Sequence, residues 1–331
     1  MNILYTFNDK FVPQVGASIC SVCENNKEID EIHFYLLTYQ LETKSKQFLA
    51  EFISNYSRRV TFISLADLNS YFTFEFDTLG WNPVILARLL IASLLPEEVN
   101  RILYLDGDTI IRGNLAGLWN TSMGSCVIGA CVEPTVDIKR KIQLGLENAP
   151  YFNSGVLLIN LNQWRKTNAG ERIINFYKAG QGRLFAPDQD AINGALKNEI
   201  FILSPKYNFS NTFLYYPYRT IKRMMGKNIY ISEACYQESK CDPCIIHYLG
   251  EERPWRKGNS HKYKNDFIYY LNLTPWKHTA MEDGWQLYFI CWRIFNFCMT
   301  PFPMIRYKVI NSLIPAFMRY RSNQLSKNNE K

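Results

Sequence analysis

The strongest constraint on the fold is the alternation of apolar strand patterns with helix patterns in the first third of the chain. Strand patterns stand at residues 3–6, 32–37, 60–63 and 101–105, with apolar residues at helical spacing between them. This alternation predicts an α/β fold with a mostly parallel central sheet flanked by helices. Because ligands of such sheets bind beyond the carboxyl ends of the strands, we expect functional side chains there.

The same signals continue to about residue 270 and then stop. They predict further strands at 126–132, 155–161 and 245–247, and helices at 84–95, 162–178 and 187–197. We therefore expect one domain over residues 1–275, followed by a helical, aromatic and basic C-terminal tail over residues 276–331.

Charge is concentrated in that tail. The whole chain has a net charge of +7, and from Trp285 onward seven Lys or Arg stand against one acid, Glu330. A basic, aromatic segment favours an anionic surface, whereas the nearly neutral remainder argues against a nucleic-acid groove. The longest charge-free run, 294–305, is shorter than the roughly 20 apolar residues that span a bilayer.

We therefore expect the tail to lie in the interface of an anionic membrane, with aromatics among the acyl chains and cations on the headgroups. The alternative is a helix packed on the first domain. The residues concerned are Trp285, Tyr288, Phe289, Trp292, Phe295, Phe297, Phe302, Phe317, Arg293, Arg306, Lys308, Arg319 and Arg321.

The nine cysteines are expected to be reduced thiols in the cytoplasm, since the first residues show no secretory signal pattern. Two Cys-x-x-Cys pairs occur, Cys20/Cys23 and Cys241/Cys244. A zinc site that joins them is the weaker alternative. The first pair lies in a helical pattern, which favours packing.

The sharpest motif is Asp106-Gly107-Asp108, which follows an apolar strand directly. Side chains at i and i+2 of an extended segment share a face. Two carboxylates on one face repel each other unless a hard cation neutralises them. Gly107 would allow close approach of a ligand. The alternative is a solvated Asp-Gly turn.

A second motif begins at His247, where a short apolar strand ends. A neutral imidazole there could ligate the same cation, while Gly250 and Arg253 could approach and pair with a phosphate. Taken by itself, the segment is more typical of a strand-terminal His beside a surface Arg.

Polar residues in two further segments are candidates. Asp188 and Asp190 follow Pro187, where acids are ordinary helix-start residues, but the amide of Gln189 suits a sugar hydroxyl. Arg88 lies in an apolar helical pattern. It is either buried against an anion or extended to the surface.

Together these segments resemble glycosyltransferase family 8, and above all its bacterial members that build lipopolysaccharide or capsular glycans. The resemblance covers about residues 1–265. Six motifs occur in family order: Asn8-Asp9-x-Phe11, Arg88, Asp106-Gly107-Asp108, Phe152-Asn153-x-Gly155, Asp188-Gln189-Asp190 and His247-x-x-Gly250-x-x-Arg253-Pro254-Trp255.

The resemblance implies a GT-A fold and a role for each matching position. Asp106, Asp108 and His247 match the ligands of Mn²⁺, for which Mg²⁺ is the alternative. Thr6, Asn8 and Phe11 match the uracil site, although many members have Asp where Asn8 stands. Arg88, Asn153, Ser154 and Asp188 match the donor-sugar site, and Gly107, Gly250 and Arg253 match positions near the diphosphate. Gln189 and Asp188 match catalytic positions.

The implied activity is retaining transfer of glucose or galactose from a UDP-sugar to a glycan or glycolipid acceptor, at the inner face of the cell membrane. A self-glycosylating primer protein and an inactive sugar-binding protein are the alternatives. A nucleotidyltransferase would need a Gly-rich phosphate loop, which the first strand lacks. The motifs leave open the sugar, the acceptor and the choice between Asp188 and Asp190 as a nucleophile.

Overall fold

The computed structural model describes residues 1–65 and 67–329, with side chains for all of these except 317 and 319–329. The strands are β1 (Asn2–Asn8), β2 (His33–Tyr39), β3 (Arg59–Leu65), β4 (Arg101–Leu105), β5 (Thr109–Ile111), β6 (Ile128–Val132), β7 (Phe152–Asn160), β8 (Ile200–Leu203) and β9 (Ile245–His247). Seven of them form one sheet in the order β3-β2-β1-β4-β7-β6-β8, and β5 pairs with β9 in a second sheet.

Parallel pairing dominates the large sheet. Strand β7 is antiparallel to both of its neighbours, while the other pairings are parallel. The predicted α/β class and the mostly parallel sheet are confirmed. Strands β5 and β8 were not predicted from the sequence.

Helices flank the sheet. The α-helices are α1 (Val12–Asn25), α2 (Thr43–Asn55), α3 (Ile91–Leu94), α4 (Ala116–Trp119), α5 (Ile138–Gln143), α6 (Leu161–Lys166), α7 (Ala169–Ala179), α8 (Pro187–Leu196), α9 (Asn211–Tyr215), α10 (Tyr218–Met225), α11 (Glu233–Cys241), α12 (Lys264–Asn272), α13 (Gln286–Met299) and α14 (Pro303–Asn329). Short 3-10 helices lie at Asp9–Phe11, Asn69–Tyr71, Pro83–Leu90 and Pro205–Tyr207.

Two predicted helices differ in the structure. Most of the predicted helix at 84–95 is the 3-10 helix Pro83–Leu90, with only Ile91–Leu94 α-helical. The predicted helix at 162–178 is divided into α6 and α7, because Asn168 has a φ of 50°. A residue in the left-handed region ends the regular hydrogen bonding of a right-handed helix.

The direction of β7 explains why polar residues from two segments lie together at the edge of the sheet where β4 ends. Strand β4 ends at this edge, and β7, being antiparallel to it, begins there, with Leu105 opposite Val156. The Asp106 amide donates a hydrogen bond of 2.8 Å to the Gly155 carbonyl. The residues that start β7 therefore lie beside those that follow β4.

The small sheet brings a distant segment to the same place. Strand β9 pairs with β5 in antiparallel register, so that Thr109 lies opposite His247. Since Thr109 follows Asp108 directly, this pairing places His247 beside the Asp106-Gly107-Asp108 turn.

The tail forms two helices, α13 and α14, that contact each other and the rest of the chain. Phe289 and Arg306 are buried, and the Arg306 guanidinium lies over the rings of Tyr215 and Tyr216 at 4.7 and 4.9 Å. These two residues were expected at a membrane face, and for them that prediction is wrong, because one side of α13 and α14 covers aromatic surface of the first domain. Phe317, Arg319 and Arg321 lie outside the described side chains.

The predicted boundary near residue 275 falls in the loop between α12 and α13. Residues on its two sides are in contact: Trp276 leaves no room for a side chain at Gly16, and Arg256 pairs with Glu282 at 2.9 Å. None of the described helices is long and apolar enough to cross a membrane.

All nine cysteines are free thiols. In the described part of the chain, the one group of three or more His, Cys, Asp or Glu ligand atoms that could hold a metal contains no cysteine. The structure thus gives no support to a zinc site that joins the two Cys-x-x-Cys pairs.

Candidate active site

Asp106, Asp108 and His247 meet at the carboxyl edge of the sheet. One ligand atom from each lies within 4.8 Å of the other two. The Nε2 atom of His247 is 3.3 Å from Asp108 Oδ1 and 3.8 Å from Asp106 Oδ2. These donors could hold a divalent cation, since carboxylate oxygens and one imidazole nitrogen are available on one side.

Two asparagine side chains fix the orientation of the His247 imidazole. His247 Nδ1 is 2.9 Å from Asn208 Oδ1, and Asn208 Nδ2 donates to Asn153 Oδ1 at 2.8 Å. Because an amide oxygen accepts only, this network places the proton of a neutral His247 on Nδ1 and leaves the Nε2 lone pair facing the two carboxylates.

Burial and neighbouring charges shift the pKa values of His247 and Asp108 in opposite directions. Burial by itself would lower the pKa of His247, but the charges of Asp108 and Asp106 outweigh burial and raise it. Burial would raise the pKa of Asp108, yet His247 and Arg253 lower it on balance. The three groups are therefore mutually dependent, as expected of side chains that face a common charge.

Gly155 stands against this cluster. A Cβ atom at Gly155 would press on the His247 ring and lie 2.9 Å from Asp106 Oδ2. The pairing of β6 with β7 also shifts between Ala130 and Cys131, and such irregularities redirect side chains beside functional sites. The absence of a side chain at Gly155 is what lets the imidazole approach Asp106.

Arg88 is buried rather than extended to the surface. It donates to Asp106 Oδ1 at 2.7 Å and to the Ser154 carbonyl at 2.9 Å, and pairs with Asp188 Oδ2 at 3.1 Å. Its guanidinium lies 4.4 Å from the centre of the Tyr104 ring. The two carboxylates offset the desolvation of the cation, which answers the question that the sequence left open.

Asp188, Gln189 and Ser154 form a second polar group beside Arg88. Gln189 Oε1 accepts from the Ser154 amide at 2.9 Å, and Ser154 Oγ donates to Asp188 Oδ2 at 3.1 Å. Burial raises the pKa of Asp188 despite the neighbouring Arg88. Arg88 and Ser154 thus connect Asp188 and Gln189 to Asp106.

Asp190 is the most fully engaged carboxylate of this region. Its Oδ1 accepts from Arg140 Nη2 and Tyr151 OH, each at 2.6 Å, and its Oδ2 accepts from the Ala186 amide at 3.0 Å. Gln189 Nε2 in turn donates to Tyr151 OH at 3.0 Å. Because both carboxylate oxygens of Asp190 accept hydrogen bonds, Asp190 holds Tyr151 in place. The same hydrogen bonds disfavour Asp190 as a nucleophile.

Arg253 lies over an aromatic pair. Its guanidinium is 5.9 Å from the Phe11 ring centre and 5.6 Å from that of Trp255, and its Nη2 is 3.9 Å from Asp108 Oδ2. The space beside Gly107 is filled by Phe11 and by Val15, 2.7 Å from an added Cβ. Gly107 is therefore required for packing at this position, apart from any ligand contact.

The remaining predicted positions border the same edge. Thr6 Oγ1 and Tyr104 OH are 2.9 Å apart, and Tyr104 OH donates to Asp106 Oδ1 at 2.7 Å. Asn8 ends β1. Gly250 has a φ of +78° with nothing near its missing Cβ, a conformation that favours glycine.

Comparison with known proteins identifies the family of this chain. The profile described as Glycosyl transferase family 8 matches residues 2–258. The chain belongs to glycosyl transferase family 8. It is therefore a glycosyltransferase, and the resemblance seen in its motifs is confirmed.

Relatives in this family include enzymes of lipopolysaccharide synthesis. The chain is 24% identical over 305 residues to the lipopolysaccharide 1,3-galactosyltransferase of Salmonella typhimurium, covering 89% of this chain and 86% of that protein. It is 24% identical to general stress protein A of Bacillus subtilis, covering 83% and 94%. The solved structure of galactosyltransferase LgtC with donor and acceptor sugar analogues has a TM-score of 0.70 at 21% identity, covering 86% and 99%, which confirms the GT-A fold.

Four residues of this family 8 site were not predicted as functional: Tyr104, Arg140, Tyr151 and Asn208. Tyr104, Tyr151 and Asn208 hydrogen-bond to Asp106, Gln189 and His247, respectively. Arg140 donates to Tyr151 and to Asp190. Only Tyr151 stands next to a motif, and Asn208 and Arg140 lie in segments whose composition is ordinary for a loop and a surface helix. No local pattern could have distinguished them.

Proposed function

We propose that this family 8 glycosyltransferase moves a hexose, glucose or galactose, from a UDP-sugar to a glycan acceptor of bacterial lipopolysaccharide or surface polysaccharide, with retention of the anomeric configuration. The observation that carries the proposal is the convergence of Asp106, Asp108 and His247 within 4.8 Å, with Arg253 beside them. Anionic ligand atoms and a guanidinium on one edge suit a metal-bound diphosphate.

The donor set fits Mn²⁺, with Mg²⁺ as the alternative. Two carboxylates and one imidazole held in its Nδ1–H form match a hard to borderline cation, and the close carboxylates need a positive charge between them. When bound, the cation would withdraw charge from the UDP leaving group.

The chain's own residues would perform the remaining steps. Arg253 would pair with the diphosphate while resting on Phe11 and Trp255, and Phe11 would offer its ring to uracil. Arg88, Asn153, Ser154 and Asp188 would hold the sugar hydroxyls. Gln189, oriented by Tyr151 and Ser154, would present its amide to the anomeric centre as positive charge develops there.

A UDP-release assay over a panel of UDP-sugars, with and without Mn²⁺, tests this proposal. Asp108→Asn should lower turnover by at least 100-fold, about 3 kcal/mol of lost charge stabilisation. Asp30→Asn is the matched control, because Asp30 is exposed and precedes β2 at the opposite edge of the sheet; it should leave turnover unchanged. Full activity in EDTA would refute the metal assignment.

Mass spectrometry and the UDP-release assay together separate the two alternatives. A self-glycosylating protein gains the mass of one or more hexoses on incubation with the donor, which mass spectrometry of the purified chain detects. An inactive sugar-binding protein binds UDP and Mn²⁺ but releases no UDP with any donor or acceptor.

We also propose that the tail rests on an anionic membrane surface at the inner face of the cell membrane. The support is an exposed apolar stripe along α13: Leu287, Ile290, Ile294 and Phe297 are 72%, 45%, 59% and 83% exposed. Their spacing of three and four residues puts them on one helix face, opposite the buried Phe289. Exposed apolar faces beside cations are typical of interfacial helices.

A further inference from the structure

A cleft lies between α10 and the turn that joins α13 to α14. Its volume is about 350 Å³, and its walls come from two stretches that are far apart in sequence. The lining residues are Arg219, Thr220, Arg223, Pro301, Phe302, Pro303, Met304 and Ile305. The cleft is separate from the candidate active site, since it shares no residue with that site.

One wall of the cleft is cationic. Arg219 and Arg223 lie one helical turn apart and are both exposed. Among the described side chains, neither has an ion-pair or hydrogen-bond partner. Lys222 and Lys227, also exposed, add charge to the same region of the chain. Free guanidinium groups at this spacing suit a phosphate, which accepts several hydrogen bonds at once.

The opposite wall is apolar. Phe302 and Ile305 are 54% and 51% exposed, and Phe297 on the preceding helix is 83% exposed. A free phosphate or nucleotide would leave this surface in water. An amphiphile with a phosphate next to an acyl chain would cover both walls, because its phosphate would meet the arginines while its acyl chain covers the apolar residues.

We propose that this cleft binds the phosphate of an anionic phospholipid when the protein rests on a bilayer, with Arg219 and Arg223 on the headgroup and Phe302 and Ile305 among the upper acyl carbons. The inference rests on the membrane association proposed above and adds a defined lipid site to it. Two contact regions, this cleft and the α13 stripe, would fix the orientation of the enzyme on the surface.

Vesicle co-sedimentation of the full chain tests the site. The probes are vesicles of phosphatidylcholine alone and of phosphatidylcholine with phosphatidylglycerol. Arg219→Gln with Arg223→Gln should weaken binding to the anionic vesicles by roughly 25-fold, the effect of two cations at a charged surface. The matched control, Arg59→Gln with Lys178→Gln, removes two exposed cations from β3 and α7 and should weaken binding less than twofold.

A further variant makes the result specific to the cleft. Phe302→Ser should weaken binding at high salt as well as at low salt, because an apolar contact is not screened. Equal losses in the cleft variant and in the charge control would show diffuse attraction and overturn the proposal, as would wild-type sedimentation of the cleft variant.

UDP binding in the presence of Mn²⁺, measured by calorimetry, distinguishes failure of this inference from failure of the proposed function. The cleft variant should bind UDP like the wild type, and weaker UDP binding would overturn the assignment of the cleft to lipid. A wild-type protein that binds anionic vesicles through the cleft but not UDP would overturn the proposed donor and leave the lipid site supported.

Discussion

Gly155→Ala is the change that best tests how the fold builds the candidate metal site. An added Cβ would lie 2.8 Å from His247 Nδ1, where ordinary contacts begin near 3.4 Å. The ring must therefore move by at least about 0.6 Å, whereas metal–ligand distances tolerate only about 0.2 Å. Because Asn208 is hydrogen-bonded to Nδ1 of the same ring, moving the ring also disturbs the contact that fixes its orientation.

The expected loss is in metal affinity more than in stability. A misplaced ligand should weaken Mn²⁺ binding by roughly 100-fold, about 2.8 kcal/mol. Overpacking costs about 1–3 kcal/mol of unfolding free energy. Replacing a strand glycine returns roughly 0.5–1 kcal/mol of that cost, so the variant should remain folded.

Electron paramagnetic resonance of free Mn²⁺ during a titration at saturating UDP measures this affinity. Gly129→Ala is the matched control, since it adds the same atom in neighbouring β6, against the flexible Met123 at 2.9 Å; its Mn²⁺ affinity should stay within twofold of the wild type. The reasoning is refuted if Gly155→Ala binds Mn²⁺ as tightly as the wild type. The reasoning is also refuted if Gly155→Ala lowers Mn²⁺ affinity by the same factor in a His247→Ala protein as in the wild type, because the His247→Ala protein has no ring to displace.

Three further changes probe the residues around the site. Asn208→Ala should lower Mn²⁺ affinity by about 10- to 100-fold, because the Nδ1–H form of His247 loses its acceptor; calorimetry at saturating UDP measures this, and an unchanged affinity would contradict the role. Tyr151→Phe should reduce turnover about tenfold without changing UDP affinity, because Gln189 loses the acceptor of its amide; a raised Kd for UDP with normal turnover would count against it. Burial raises the pKa of Glu252 above 4.5, so the folded state binds its proton more readily than the unfolded state. The unfolding free energy of the wild type should then rise relative to that of Glu252→Gln as pH falls from 7 to 4.5. Denaturant titrations of both proteins measure this difference, and a difference that stays constant or falls would contradict the prediction.

The sequence by itself determined the class of the fold and the family. Apolar runs such as 101–105 are local signals, and their short length and flanking residues favour buried strands. The order and spacing of the six motifs were enough to indicate the family. The bounds of β4 and β9 agree with the prediction to the residue.

Tertiary structure decided which of these motifs meet and what holds them. From the sequence, a buried and a surface position were equally good interpretations of Arg88, and only the structure places Asp106 and Asp188 beside it. Asn208 had no predicted role, and only the structure shows its amide oxygen against His247. One side of the tail was shown to pack on Tyr215 and Tyr216, which no helical periodicity could have indicated.

The physical reason lies in the distance along the chain between the partners. Strand β5 is three residues long and pairs with β9 more than 130 residues later. The local sequence pattern of neither segment therefore predicts the contact that brings His247 to Asp108. Local periodicity reports which face of an element is buried. The identity of the partner on that face is set by long-range pairing, whose stability comes from the folded whole.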